Sequence, residues 1–403
     1  MIKRNEYLTI LQQLKDQNLI KVITGIRRCG KSTLLDQFRN WLLENGVDQS
    51  QIISFNFEDD ENEHLLDRHV LSRVIREKMT EKQMYYIFLD EVQNVVEFEK
   101  LVDSLFVKDN TDVYITGSNA YLLSSELATF LSGRYIETNV LPFSFKEYYL
   151  SGGMANVDGL PDMAAALEAY LHDSSFPQAV TLGRAAPERV AGYVKDIYQT
   201  VLVKDILKRR AIKYPRAFDQ VTRFTLDSIG SLVSPHSIAK SLFNNADTNK
   251  TVESYLRALV DSYVFYPVSR FDIKGKQHLR TLEKYYVVDL GLRQALIGKT
   301  KESDLGHLLE NVVYLELLRR GGTVYLGKIG EREVDFVVQS HEGNISYYQV
   351  AYTVKSEGTL ARELAALKSI RDHNPKYLLT TDPLSFDEDG IKHINVARWL
   401  LGE

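Results

Sequence analysis

Residues 19–33 read LIKVITGIRRCGKST. The apolar run from Leu19 to Thr24 has the character of a buried strand, and Ser32 to Glu44 that of a helix. Between them, Gly25 to Ser32 fits G-x-x-x-x-G-K-S/T at every fixed position. Strand, glycine turn and helix in that order make an anion cradle. Gly25 and Gly30 let the chain bend. The amides of Ile26, Arg27, Arg28, Cys29 and Thr33 can then point at phosphate oxygens. Lys31 brings a cation to the β- and γ-phosphates, and Ser32 offers a hydroxyl to Mg²⁺. The positive end of the helix dipole faces the same anion. The expected ligands are ATP and Mg²⁺.

Other segments add to that cradle. Residues 1–17 read as an amphipathic lead-in helix with Tyr7, Leu11 and Leu14 on one face, for core packing rather than base contact. Gln51 to Phe57 alternates like a strand, and the acidic run Glu58–Glu61 reads as a solvated loop. A helix at 65–80 leads to a strand, Met84 to Asp90, followed by Glu91. An apolar strand ending in two acids supplies the second half of the chemistry. Asp90 would hold the Mg²⁺ shell, and Glu91 would polarise the attacking water. After a helix at 97–106 and a strand at 112–116 come Gly117-Ser118-Asn119. Asn119 is the candidate for orienting water, with Ser118 its rival. Arg134, in Ser132-Gly133-Arg134 before a strand at 135–141, either offsets transition-state charge or is structural. In the first case it would act in its own subunit or across an interface.

The order GIRRCGKST, YIFLDE, YITGSNA, LSGRYIE and LPFSFKEYY resembles one branch of the AAA-type (AAA+) P-loop ATPases, bacterial and archaeal. In that branch the ATPase domain precedes an uncharacterised region, and the stretch matching Leu141–Tyr148 closes the core. The resemblance continues through Phe176-Pro177, Lys204-Asp205-Ile206, Lys284-Tyr285-Tyr286 and Asp289-x-Gly291-Leu292-Arg293. Ring-forming relatives imply self-association.

Composition sets the frame. A chain of 403 residues is expected to make two to four domains. With 54 acidic and 49 basic residues, bulk charge does not mark a nucleic-acid binder, though a local basic face remains compatible. The single cysteine, Cys29, lies in the phosphate loop and can form no internal disulfide, which suits the cytoplasm. There is no leader-like apolar segment, no run long enough to span a bilayer, and no repeat.

The second half is helical over 160–215, as expected of a lid. Lys195, Lys204, Lys208, Arg209, Arg210 and Lys213 read as a solvated helix face, or alternatively as a contact with phosphate. From 217 to 296 the order helix, SPHSIAKSLF helix, third helix (248–262) and strand pair around Lys274-Gly275-Lys276 reads as a winged helix. On the third helix Lys250 and Arg257 are balanced by Glu253. Arg270, Lys274, Lys276 and Arg280 gather near the hairpin. The last hundred residues follow an α-β-β-β-α-β order. It resembles the restriction-endonuclease-like fold of PD-(D/E)xK nucleases. Glu310, Asp335 and Gln349 match by position, but Ala351 stands at the lysine place, with Lys355 the nearest other lysine. That pattern implies a degenerate nuclease used for binding or assembly.

The fold expected is therefore α/β: an AAA-type core (1–150), a helical lid (151–215), a winged-helix segment (216–298) and a degenerate restriction-endonuclease-like domain (299–403). The function expected is Mg²⁺-dependent ATP hydrolysis coupled to conformational change or assembly, acting on DNA or a DNA-associated partner. The alternatives are an ATP-controlled switch with a protein partner and an ATP-regulated nuclease. No N/TKxD motif is present, which favours adenine over guanine.

Overall fold

The structure, a computed structural model, describes residues 2–80, 82–120, 131, 133–151, 162–183, 186–207, 212–244, 248–298 and 301–403. Ser132, Lys208, Arg209 and Arg210 lie outside the described residues, as does the side chain of Arg280. Two compact units are present: Met1–Val140 with Asp261–Tyr263, and Leu141–Val260 with Val264–Glu403.

The first unit is built on five parallel strands: β1 (Ile20–Thr24), β2 (Ile52–Asn56), β3 (Tyr85–Asp90), β4 (Thr111–Gly117) and β5 (Tyr135–Asn139). Their spatial order is β2-β3-β4-β1-β5. Parallel neighbours need helical crossovers, so both sheet faces are covered and the central strands β1, β3 and β4 are buried almost throughout, whereas the edge strands β2 and β5 are partly exposed. Helices α1 (Asn5–Leu14), α2 (Lys31–Glu44), α3 (Arg68–Lys78) and α4 (Phe98–Phe106) supply that cover. Ile87 and Leu89 pack in one core with Leu71, Ile75, Leu101 and Leu105 of α3 and α4. The alternate residue, Phe88, stacks on Tyr114 with ring centroids 4.9 Å apart and meets the edge of Phe38 on α2. The acidic run expected as a loop forms a 3₁₀ turn, Asp60–Leu65, whose start is capped by Asp59.

The second unit holds an eight-stranded mixed sheet. Its strands are β6 (Phe265–Asp272), β7 (Gln277–Val287), β8 (Thr323–Ile329), β9 (Arg332–Gln339), β10 (Ile345–Val350), β11 (Lys376–Thr380), β12 (Phe386–Glu388) and β13 (Ile391–Asn395). They run in the order β12-β13-β11-β10-β9-β8-β6-β7. Helices α5 (Phe145–Leu150), α6 (Met163–Tyr170), α7 (Pro177–Leu182) and α8 (Pro187–Thr200) precede the sheet, and α8 runs on into a π-helical turn, Val201–Leu207. Then come α9 (Pro215–Asp227), α10 (Pro235–Phe243) and α11 (Asn249–Asp261). The β6–β7 hairpin, the strand pair expected to complete a winged helix, is continuous with the C-terminal sheet, because β6 pairs in parallel with β8 from Arg270 to Asp272. Later helices are α12 (Leu290–Ile297), α13 (Leu305–Arg319), α14 (Glu357–Lys368) and α15 (Val396–Leu401).

One buried ion pair ties β1 to β4 in the first unit. Lys21 Nζ lies 2.5 Å from Asp112 Oδ1, and both side chains are almost wholly excluded from water. The Tyr114 hydroxyl and the Asp16 amide each donate to Asp112 Oδ2 at 2.9 Å, and Lys21 also donates to the Gln17 carbonyl. Removing one partner strands a buried charge, at a cost of about 3–5 kcal/mol, whereas an apolar pair of similar volume is often neutral. Asp112→Ala is therefore expected to lower the denaturation midpoint strongly, and Lys21→Met/Asp112→Leu to recover most of it. Equal loss in both variants would contradict this reading of the pair.

Candidate functional site

Parallel α/β sheets open a crevice at the carboxyl ends of their strands. Here β1, β3 and β4 deliver their last residues to that edge side by side, with Leu89 paired to Ile115 and Ile23 to Thr116. The turn after β1 is the phosphate loop. Gly25 adopts φ +140°, and a Cβ there would sit 2.2 Å from the Val140 carbonyl oxygen, so this position admits only glycine. Gly30, at φ +103°, caps α2, which begins at Lys31. Arg28 adopts φ +66°, so the loop turns sharply between the glycines.

Lys31 is the centre of the site. Its Nζ donates to the carbonyls of Gly25 at 2.9 Å and Ile26 at 3.3 Å, and lies 3.5 Å from Glu91 Oε1. Burial opposes its charge, but the Cys29 sulfur and the Glu91 and Asp90 carboxylates beside it outweigh that and hold its pKa above the usual lysine value. Glu91 shows the converse. Burial raises its pKa, yet Lys31, Arg27 and hydrogen bonds from Gln93 and Ser118 bring it below the usual glutamate value. Asp90 is pushed up by burial, against hydrogen bonds from Ser32 and Thr116.

The expected residues fall as follows. Ser32 hydrogen-bonds Asp90, so the hydroxyl and carboxylate expected to share a metal are neighbours. Ser118 Oγ donates to Glu91 Oε2 at 3.0 Å, as does Gln93 Nε2 at 2.5 Å. Asn119 Nδ2 reaches Ser262 Oγ at 3.5 Å. Arg134 lies at the opposite sheet edge. Its carbonyl accepts from the Ile20 amide at the start of β1, and its guanidinium pairs with Asp103 at 2.5 Å. It is therefore a strand's length from its own phosphate loop, ~15 Å for five residues.

The roles of Thr116 and Arg4 and the pairing of Arg27 with Glu58 were not legible in sequence. Thr116 Oγ1 donates to the Asp90 carboxylate and accepts from the Glu91 amide at 2.8 Å, locking the acidic pair. Glu91 is held at φ +55°, a conformation rare outside glycine. Arg4, almost fully buried, donates to the Cys29 carbonyl at 2.9 Å and props the loop from beneath. Arg27 pairs with Glu58, so part of the acidic run serves the phosphate loop. The signals were absent because a threonine in a strand and an arginine before a helix have no fixed spacing to a motif.

Among the described residues no group of three or more His, Cys, Asp or Glu side chains is arranged as a metal cage. An NTP-bound Mg²⁺ asks for less: one or two protein oxygens, the rest from phosphates and water. The Ser32–Asp90 pair, with a glycine-lined cradle and a helix N-terminus beside it, fits that demand.

The second unit carries its own buried polar cluster. Glu310 on α13 accepts from Lys284 Nζ at 2.7 Å and from the Tyr286 hydroxyl at 2.5 Å. Lys284 also lies 3.9 Å from Asp335 Oδ1, while the Val350 amide donates to Asp335 Oδ2 at 2.8 Å. Gln349 accepts from the Asp335 amide at 3.3 Å and donates to Glu363 Oε2 at 2.9 Å. Glu310, Asp335 and Gln349 thus gather as expected. The cation among them is Lys284 from β7. Lys355 is exposed, and Ala351 packs in the apolar core. Burial and the nearby Glu310 push Asp335 up to about 8, against the pull of Lys284. The folded state then keeps a proton on Asp335 that the unfolded chain has lost near pH 4. Stability contributed by that proton is full at low pH and is lost as pH rises through about 8. Thermal melts of the wild type should therefore fall between pH 5 and pH 8.5, and Asp335→Asn should flatten the decline. An identical pH dependence in both would contradict the assignment.

Comparison with known proteins agrees with this geometry. Residues 17–149 match the model of an AAA domain, and residues 164–303 a domain of unknown function. An uncharacterized protein of Haemophilus influenzae is 38% identical over the whole of this chain and 99% of its own. One of Methanocaldococcus jannaschii is 28% identical over 88% of this chain and 79% of its own. A Walker-type ATPase of Pyrococcus abyssi shares the fold with a TM-score of 0.52 at 16% identity, covering 73% of this chain and 96% of its own. The chain belongs to the same family as the Haemophilus influenzae protein, with an AAA-type P-loop ATPase domain at its N-terminal end.

Proposed function

We propose that this AAA-type ATPase couples Mg²⁺-dependent ATP hydrolysis to conformational change or assembly, and that it acts on DNA or a DNA-associated partner. The observation that carries the catalytic part is the Lys31–Glu91 contact at the phosphate loop. In this reading Lys31 exchanges the Gly25 and Ile26 carbonyls for β- and γ-phosphate oxygens. Glu91 is then relieved of its counter-ion inside a buried site. Its proton affinity rises just where a water must be deprotonated. Ser32 and Asp90 hold Mg²⁺, which when bound offsets charge on the phosphates. Ser118 and Gln93 fix the Glu91 carboxylate, and Asn119 positions the water. Arg134, at the far sheet edge, would reach a phosphate only on a neighbouring subunit, which favours a ring or other oligomer.

The DNA arm is supported by three helices followed by a hairpin, α9–α11 with β6 and β7, and by exposed Lys250, Arg257, Lys274 and Lys276. The C-terminal region is read as nuclease-like but degenerate. Lys284 pairs with Glu310 and lies beside Asp335, and Gln349 stands where the motif has its second strand acid. This cluster favours an ATP-controlled switch or scaffold as the second reading, ahead of a nuclease.

Lys31→Ala is expected to abolish binding of a fluorescent ATP analogue. Glu91→Gln should bind it normally and hydrolyse roughly a hundredfold more slowly. Normal turnover by the Glu91 variant would remove it as the base. Duplex or single-stranded DNA at low salt should raise the ATPase rate. A size change with ATP and no response to DNA would instead establish the switch, and Mg²⁺-dependent nicking of supercoiled plasmid the nuclease.

A further inference from the structure

The first unit has a cavity of about 370 Å³ between α3 and α4, with no carboxylate in its lining. Both helices follow strands of one parallel sheet, so they run side by side in the same direction. Arg68, Ser72 and Arg76 recur every four residues on one, and Lys100 and Ser104 do so on the other, with Lys108 two residues beyond its end. Four-residue spacing puts each set on one helix face. Arg68 and Lys100, near the starts of the two helices, make one cationic rung of the lining, and Arg76 and Lys108, near or past their ends, make the other, with Ser72 and Ser104 between them in sequence. Glu97 pairs with both members of the first rung. Arg76 and Lys108 have no carboxylate partner among the described residues. The serines are small and keep the space between the cationic rungs open.

Folding alone does not ask for this arrangement. Cations near a helix C-terminus complement its dipole, which accounts for Arg76. Arg68 and Lys100 stand in first turns, where the dipole opposes them. The chain as a whole is acidic, with a net charge of −5, so five basic side chains around one cavity, His69 included, are a local concentration.

We propose that this groove holds successive backbone phosphates of a nucleic-acid strand. Arg68 and Arg76 are eight residues apart, about 12 Å along α3. A lone phosphate reaches one rung, whereas a polymer with regularly repeated charge spans both. An acidic peptide brings backbone N–H donors that need acceptors, and among the lining side chains only Ser72, Ser104 and a neutral His69 can accept, while the four Arg and Lys side chains only donate. A phosphodiester backbone brings acceptors only, which Arg forks and ammonium groups satisfy. The lining has no aromatic platform and no base-reading amide, so binding is independent of sequence. The assignment rests on the DNA arm of the proposed function and locates it on the ATPase domain.

The test is fluorescence anisotropy with a labelled duplex, using the full chain and its Arg76→Glu/Lys108→Glu variant, with Arg76→Gln/Lys108→Gln as a milder pair. MgATP binding is measured alongside as the check of folding. The charge-reversed variant should bind duplex at least about tenfold more weakly with MgATP binding intact. The neutral variant should lower the slope of log affinity against log salt by about 1.8, for two lost phosphate contacts. Duplex affinity within about twofold of wild type in both variants would overturn the groove while leaving the DNA arm standing. Wild type that binds no duplex at low salt would overturn both. Displacement of duplex by polyglutamate at matched charge would reassign the groove to an acidic protein.

Discussion

The structure turns on a buried ammonium held among negative groups at the open end of a parallel sheet. Lys31 has to stay charged in a place that water scarcely reaches, and Glu91 and Asp90 make that tolerable. The acids in turn are fixed from several directions: Thr116 from β4, Ser118 beyond it, Gln93 after β3, and Ser32 from α2. Such a network is costly to build and costly to break, because each member left alone becomes a buried unpaired charge. Its rigidity suits catalysis, where donors and charges must be aimed before the reaction begins.

The sheet order explains why these groups meet. β1 lies between β4 and β5, and β3 adjoins β4, so the phosphate loop and the acidic pair are separated by one strand only. Thr116 sits on that intervening strand and bridges them. Close approach of the Val140 carbonyl to Gly25 closes the other side, from the residue just after β5. The far edge of the same sheet carries Arg134, which is why a single strand length separates it from the site in its own chain.

Much of the first unit was legible because local chemistry and global fold agree there. In the proposed reading Gly25, Gly30, Lys31, Ser32, Asp90 and Glu91 answer to a ligand of fixed shape, so their spacing is a signal. Strand limits are within two residues of the expected ones for β1 to β5; the buried central strands β1, β3 and β4 read as apolar runs, and the edge strand β2 as an alternation. Arg4, Arg27 with Glu58, and Thr116 were not legible, because tertiary partners 25 or more residues away leave no local pattern. In the second unit the element order was readable. What could not be read was that β6 joins β8, because edge pairing between distant segments depends on register. Lys284 was missed for the same reason. It reaches Glu310 and Asp335 from a strand that sequence assigns to a separate hairpin.

The central claim, that the loop after β1 and the acids after β3 form one Mg²⁺–nucleotide site, is tested most directly by titration calorimetry of the full chain with ATP, with and without Mg²⁺. The account predicts a saturable heat at one site per chain that weakens sharply when the metal is chelated. A flat trace in the presence of magnesium nucleotide would contradict it.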